Sequence, residues 1–105
     1  MIFDVRTYTA VPGKLAAAVK LYEEFGYPVQ LKYIGKPLFY GTTEVGALNQ
    51  IVHVWMYQSQ AEREDKRTRM EADPAWAEYR RLSGEKGYLI SQENKIVKST
   101  SFSPL

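Results

Sequence analysis

Residues 50–57, QIVHVWMY, constrain the fold more than any other part of the chain. Eight residues rich in β-branched and aromatic types, without Gly, Pro or a formal charge, read as a strand. Alternation splits it into two rows. Val52, Val54 and Met56 form one; Ile51, His53, Trp55 and Tyr57 form the other. Neither row is one that a small monomer leaves in water. The chain must therefore build a sheet around this strand and cover it.

The neighbouring segments supply the partners. Residues 2–9, IFDVRTYT, read as a strand that Pro12-Gly13 ends. From Lys14 the period changes: Leu15, Ala18, Val19, Tyr22 and Phe25 recur at helical steps. Gly26 and Pro28 predict an end or break there, with helical turns resuming over 29–33 and closing at Gly35 and Pro37. Residues 38–44 form a second strand, joined to 50–57 as a hairpin through Gly46 and Asn49. Ser59-x-x-Glu62 is a capping box that opens a charged helix. Asp73-Pro74 opens another, ended by Gly84 and Gly87. Residues 89–98 are a last, polar strand, followed by the tail 99–105. The order β-α-β-β-α-β predicts an α+β, ferredoxin-like fold: one antiparallel sheet with helices on one face. With 105 residues, the chain is expected to be a single domain, 1–105.

Composition narrows the chemistry. No cysteine is present, which removes disulfides, thiolate nucleophiles and cysteine metal sites. One histidine and scattered carboxylates give no metal set. Fourteen basic against 12 acidic residues leave a net charge of +2, too even for a nucleic-acid or anionic-membrane partner. No secretory leader, membrane span or cofactor motif is visible, so a cytoplasmic protein without cofactor is expected.

The rows carry an expectation about assembly. Phe3 and Val5 are assigned to the helices, whereas Asp4, Arg6 and Tyr8 point the other way, together with His53, Trp55 and Tyr57. Aromatic and arginine enrichment on an uncovered face suits a subunit interface. A homodimer through that face is expected, with Trp55 at its seam.

Candidate site residues follow from the same rows. His53 has the side chain suited to proton transfer near neutrality; the alternative is a histidine hydrogen-bonded in the sheet or seam. Arg6 can hold a carboxylate and Tyr8 can donate to a carbonyl or enolate oxygen, or Arg6 pairs with Asp4 or Glu44. Glu44 and Asn49 are site polar groups or ordinary turn residues. Gln92 and Asn94 face a polar cavity or an exposed edge. Trp76 and Tyr79 are expected in the core, and Arg63, Lys66, Arg67 and Arg69 on a solvated helix face. A pocket lined by Arg6, Tyr8, Tyr40, His53 and Trp55 would lie between sheet and helices or inside a dimer.

An ordered set of short pieces resembles one family. Arg6-Thr7-Tyr8-Thr9 with Pro12-Gly13-Lys14 is similar to the opening of NIPSNAP-domain proteins. Thr43-Glu44-Val45-Gly46, Leu48-Asn49-Gln50 and His53-x-Trp55-x-Tyr57 resemble their central hairpin. Ala72-Asp73-Pro74-Ala75-Trp76 resembles their last helix start, and the likeness runs on to Phe102-Ser103-Pro104. The resemblance implies a dimeric α+β barrel, two ferredoxin-like sheets closed together with helices outside. It implies no settled activity, and the mitochondrial and vesicular links of eukaryotic members, which carry targeting extensions, are not expected here. Other dimeric α+β barrels include cofactor-free monooxygenases, haem-degrading enzymes and small isomerases, an analogy of fold. Two readings stand: a small-molecule enzyme or binder, acting by proton abstraction or cofactor-free oxidation of an aromatic or carbonyl compound, and a non-catalytic dimeric module.

Overall fold

The computed structural model describes residues 1–105. Strand β1 (Ile2–Ala10) leads to α1 (Leu15–Leu21), one π-helical turn (Tyr22–Gly26) and α2 (Tyr27–Tyr33). Then come β2 (Phe39–Thr42), β3 (Gln50–Tyr57), α3 (Gln60–Glu71), α4 (Pro74–Lys86) and β4 (Leu89–Lys98). The sheet order is β2-β3-β1-β4, antiparallel throughout. This is the α+β, ferredoxin-like arrangement expected from the sequence. The molecule measures 41 × 36 × 18 Å, and the short axis spans two layers, one of sheet and one of helices.

The helix starts form as the capping residues dictate. Ser59 Oγ accepts from the Glu62 amide at 3.2 Å, and Asp73 Oδ1 accepts from the Ala75 amide at 2.8 Å with Pro74 beginning α4. That helix runs through Gly84 and stops at Gly87, whose left-handed φ of 63° suits glycine. The expected break at Gly26 is instead a widening. The Tyr27 amide reaches the Tyr22 carbonyl five residues back. Pro28 has no amide hydrogen, and in a regular helix its ring would press on the Glu24 carbonyl; the wider turn relieves that crowding and lets the helix continue.

The face assignment is reversed by the structure. The helices cover the row of Asp4, Arg6 and Tyr8 and the row of Ile51, His53, Trp55 and Tyr57. Arg63 of α3 bonds to Asp4, Tyr22 stacks on Tyr40, and Ile34 packs against Ile2, Trp55 and Tyr57. Trp55 lies in the interior, not at an outer seam. The reason is complementarity of chemistry: these helices present tyrosines, a tryptophan and arginines, which match a polar-aromatic row and not an aliphatic one. A second core gathers Val29, Met70 and Trp76 between the helices.

The aliphatic row is left on the far side of the sheet. There Phe3 faces Met56 and Val97 across the strands, and Val5 faces Val54. The tail 99–105 covers part of it, forming a shallow hollow with Phe3, Val5, Val54 and Val97. Phe39 lays its ring over Gly41 on the edge strand; a Cβ at Gly41 would come within 2.6 Å of that ring.

Candidate functional site

Strand register sets the site. Tyr40, His53, Arg6 and Asn94 stand side by side across β2, β3, β1 and β4. The row beside them runs Ile51, Tyr8, Gln92, and the row on the other flank Trp55, Asp4, Ile96. Seven of the residues singled out from the sequence therefore share the face that carries the helices, with Gln92 and Asn94 at its exposed β4 edge. Glu44 and Asn49 do not. Glu44 is exposed in the hairpin loop. Asn49 adopts φ 65° and its carbonyl accepts from the Ala10 amide at 2.8 Å, so it shapes the turn.

Between this face and the helices lies a cavity of about 430 Å³. Arg6, Tyr8, Tyr40 and Gln92 contribute from the sheet. Tyr22 comes from the π turn, Trp76, Tyr79 and Arg80 from α4, and Arg67 and Glu71 from α3. That volume falls within the range of small-molecule sites. Gly26 permits the helical wall to close. A Cβ there would approach Tyr22 Cδ1 to 2.7 Å and the Tyr79 ring to 3.1 Å.

An aromatic stack forms the cavity's inner end. Tyr22 and Tyr40 lie parallel at 4.8 Å between centroids, Tyr40 sits 4.6 Å from His53, and Tyr8 meets His53 edge-on at 4.8 Å. The Tyr22 hydroxyl donates to Gln30 Oε1. Burial raises the Tyr22 and Tyr40 phenols well above the usual range, and pushes Tyr79 up to about 12. These tyrosines are donors, not bases, at any working pH.

His53 is 3% exposed. Trp55 Nε1–H donates to His53 Nδ1 at 2.7 Å. Indole nitrogen is only a donor, so this bond assigns the imidazole proton to Nε2. That Nε2–H has no protein partner. Burial, and the nearby Arg6, lower the His53 pKa to about 3. The ring is neutral and its only lone pair is engaged, so His53 is no base. Contrary to expectation, neither it nor Trp55 lines the cavity, because both are buried behind the wall that Arg6, Tyr8 and Tyr40 form.

Beneath the cavity, Asp4 is fully buried. Arg6 Nη1 at 3.0 Å and Arg63 Nε at 3.1 Å donate to Asp4 Oδ2, and Asn94 Nδ2 donates to Oδ1 at 3.1 Å. A buried carboxylate needs such pairing. Arg6, held there, also donates from Nε to the Tyr8 hydroxyl at 2.9 Å. The Tyr8 hydroxyl accepts that bond and keeps its own proton for a ligand. An oxygen anion at this point meets a phenol donor already polarised by a guanidinium. No three His, Asp or Glu side chains come together as a metal would need.

The sequence reading missed the helical half of the site. Arg63 and Arg67, expected on a solvated face, turn their side chains inward and are about one-fifth exposed, whereas Arg69 is solvated and pairs with Asp65. A signal was available. Between Gln60 and Glu71 the apolar residues are Ala61 and Met70, so α3 can dock only by burying arginine stems, and Arg63 and Arg67 share the Met70 face. Trp76 is core as expected, and it also lines the cavity with Tyr79.

The family model described as NIPSNAP matches residues 3–104. A NipSnap homolog from Dictyostelium discoideum is 35% identical over 97 residues, which is 91% of this chain; the chain spans 41% of that relative's length. The crystal structure of a NIPSNAP family protein of unknown function from Agrobacterium tumefaciens is 35% identical, with a TM-score of 0.88 over 100% of this chain and 93% of its own. A putative antibiotic biosynthesis monooxygenase from Nitrosomonas europaea shares the fold alone, at 7% identity and TM-score 0.67, over 94% of this chain and 98% of its own.

Proposed function

The chain belongs to the NIPSNAP family, and from that premise we propose that it takes up a small aromatic or conjugated carbonyl compound in the cavity between sheet and helices. One observation carries the reading: the Arg6–Tyr8 pair presents an unused, polarised hydroxyl to an aromatic-walled cavity of about 430 Å³. A carbonyl, phenolate or enolate oxygen at Tyr8 gains a charge-assisted donor, and a flat body gains the faces of Tyr22, Tyr40 and Tyr79.

If the site is catalytic, two routes fit the residues. In one, the ligand arrives already ionised, and Arg6 and Tyr8 hold its negative oxygen. Dioxygen from solution then oxidises the activated CH2 of the ligand to a carbonyl, one oxygen atom entering the product and the other leaving as water. In the other, a proton is abstracted next to a carbonyl. That proton cannot go to His53 or the buried tyrosines as they stand, and Glu71 is the carboxylate on the cavity wall that can take it. The alternative of a non-catalytic binding module keeps the same pocket and omits this step.

The test is a titration of the purified protein with phenolic and conjugated-ketone ligands, followed by tryptophan fluorescence, for wild type and Tyr8→Phe. Binding that weakens about tenfold on loss of the hydroxyl supports the reading. Binding that ignores the substitution, or none across the series, overturns it. For a compound that binds, exchange of its α-proton in heavy water, abolished in Glu71→Gln, separates the catalytic form from the simple binder.

We further propose that two copies pair through the far face of the sheet. The row is aliphatic, partly exposed and flat, which suits a two-fold related copy of itself. Fifteen of 105 residues are buried in the single chain, a thin core for this length that such pairing thickens. A reducing, cytoplasmic setting belongs to the same proposal, since the chain has no cysteine that oxidation could pair.

A further inference from the structure

Three guanidinium groups from three different elements meet at the one cavity. Arg6 comes from β1, Arg67 from α3 and Arg80 from α4, and the acidic residue among the lining is Glu71. Asp4 beneath is shared by Arg6 and Arg63; its one negative charge balances Arg63, and Arg6 is left to count with the lining. The lining itself therefore carries three positive charges against one negative, an excess of two. The whole chain has a formal excess of two. The rest of the molecule is thus balanced, and its positive potential is concentrated in a low-dielectric recess.

The donors are also spare. Arg6 uses Nε on Tyr8 and Nη1 on Asp4, which leaves Nη2. Arg67 forms only a long ion pair with Glu71, at 3.7 Å, and lies against the Tyr57 hydroxyl, which together engage part of its five-donor fork. Arg80 has no ion-pair partner, unlike its neighbour Arg81, which is held by Glu78 and Glu85. Arginine that serves only helix stability is placed as Arg81 is, outward and paired. Arg67 and Arg80 line the cavity, Arg67 loosely paired and Arg80 at its exposed rim, and both keep guanidinium donors that can meet a planar oxyanion.

Building on the reading of the cavity as a small-molecule site, we propose that its ligand is an acid: a flat aromatic or conjugated carboxylate that carries a second oxygen. The carboxylate is held by Arg67 and Arg80 on the helical side. The second oxygen sits at Arg6 and Tyr8 on the sheet side. The ring between them rests on the tyrosines. Neutral ketones and phenols fill half of this arrangement and leave the helical arginines unused.

The experiment uses matched pairs: benzoate, 2-hydroxybenzoate, 4-hydroxybenzoate and cinnamate, each beside its methyl ester, titrated calorimetrically into the full chain. The expected result is that the hydroxy acids bind about tenfold or more tightly than their esters. That advantage should shrink as sodium chloride is raised, because it is a charge effect. Arg80→Gln and Arg67→Gln should each remove most of the acid-over-ester advantage. Arg80 is exposed, so its variant tests the idea even where Arg67→Gln disturbs folding. Equal affinity for acid and ester overturns this inference and leaves the cavity reading standing. Acid binding that ignores both arginine variants also overturns it. No binding by any acid or ester overturns this inference and the cavity reading together.

Discussion

At the scale of single residues, the site is governed by what burial does to ionisable groups. His53 titrates near 6.5 in an unfolded chain and is pushed down to about 3 in the fold. Between those values the unfolded chain binds the proton and the folded one does not, so stability is complete above pH 6.5 and falls as pH drops through the window. The slope is about 1.4 kcal/mol per pH unit for one such group. Urea unfolding at pH 6.5 and 5, before most carboxylates titrate, should show a loss of about 2 kcal/mol. In His53→Gln that dependence should largely vanish; a flat wild-type profile overturns the account. Asp4 is the other buried charge. Asp4→Asn leaves Arg6 and Arg63 without their counter-ion and should cost about 3 kcal/mol in chemical denaturation. A cost below the level of a surface pair would mean that water already compensates those arginines.

At the scale of elements, the π turn joins folding to function. The wider turn accommodates Pro28 and aims Tyr22 at Tyr40. Gly26 sits where the Tyr22 and Tyr79 rings close in. Alanine is the better helix former by about 1 kcal/mol, which alone favours Gly26→Ala. The clash works against it. Tyr22 is stacked on Tyr40 and bonded to Gln30, so its ring has little freedom to yield. Overpacking at such a place costs about 1–3 kcal/mol. The net expectation is a lower melting temperature by circular dichroism and weaker ligand binding; a stabilised protein with unchanged affinity would show that the ring moves freely. The sheet contributes through register: a one-residue slip of β3 would turn His53 and Trp55 away from the helices and bring Val52 and Val54 to them.

At the scale of the whole molecule, the two faces of the sheet are expected to respond differently to a charge. Val54→Lys places an ammonium in the aliphatic row and should convert the proposed dimer to folded monomers in light scattering, with an unchanged far-ultraviolet spectrum. Trp55→Asp should unfold the chain instead, since that side chain is 1% exposed under the helices. A Val54→Lys protein of unchanged mass in solution would remove the pairing through this face. The contrast between the variants is informative because both lie on one strand, one position apart.

The sequence by itself determined the elements, their order and the fold, because period, caps and breakers are local: Ser59 and Asp73 satisfy their own helix starts, and Gly87 ends α4 where its φ requires it. It also determined that Arg6 and Tyr8 share one row of β1 and His53 and Trp55 one row of β3, since alternation is a property of each strand; register then put these rows and Tyr40 on one face. The tertiary structure decided which face the helices take. Strand alternation is symmetric between two covered rows, and the choice rested on which row matched helices bearing Tyr22, Tyr79, Arg63 and Arg67. It also decided that His53 is a neutral donor: a free histidine titrates near neutrality, and only burial beside Arg6, with Trp55 on its lone pair, takes that away. The cavity's arginines came to light the same way, because a charged helix looks solvated until the buried Asp4 that one of its arginines must meet is in place.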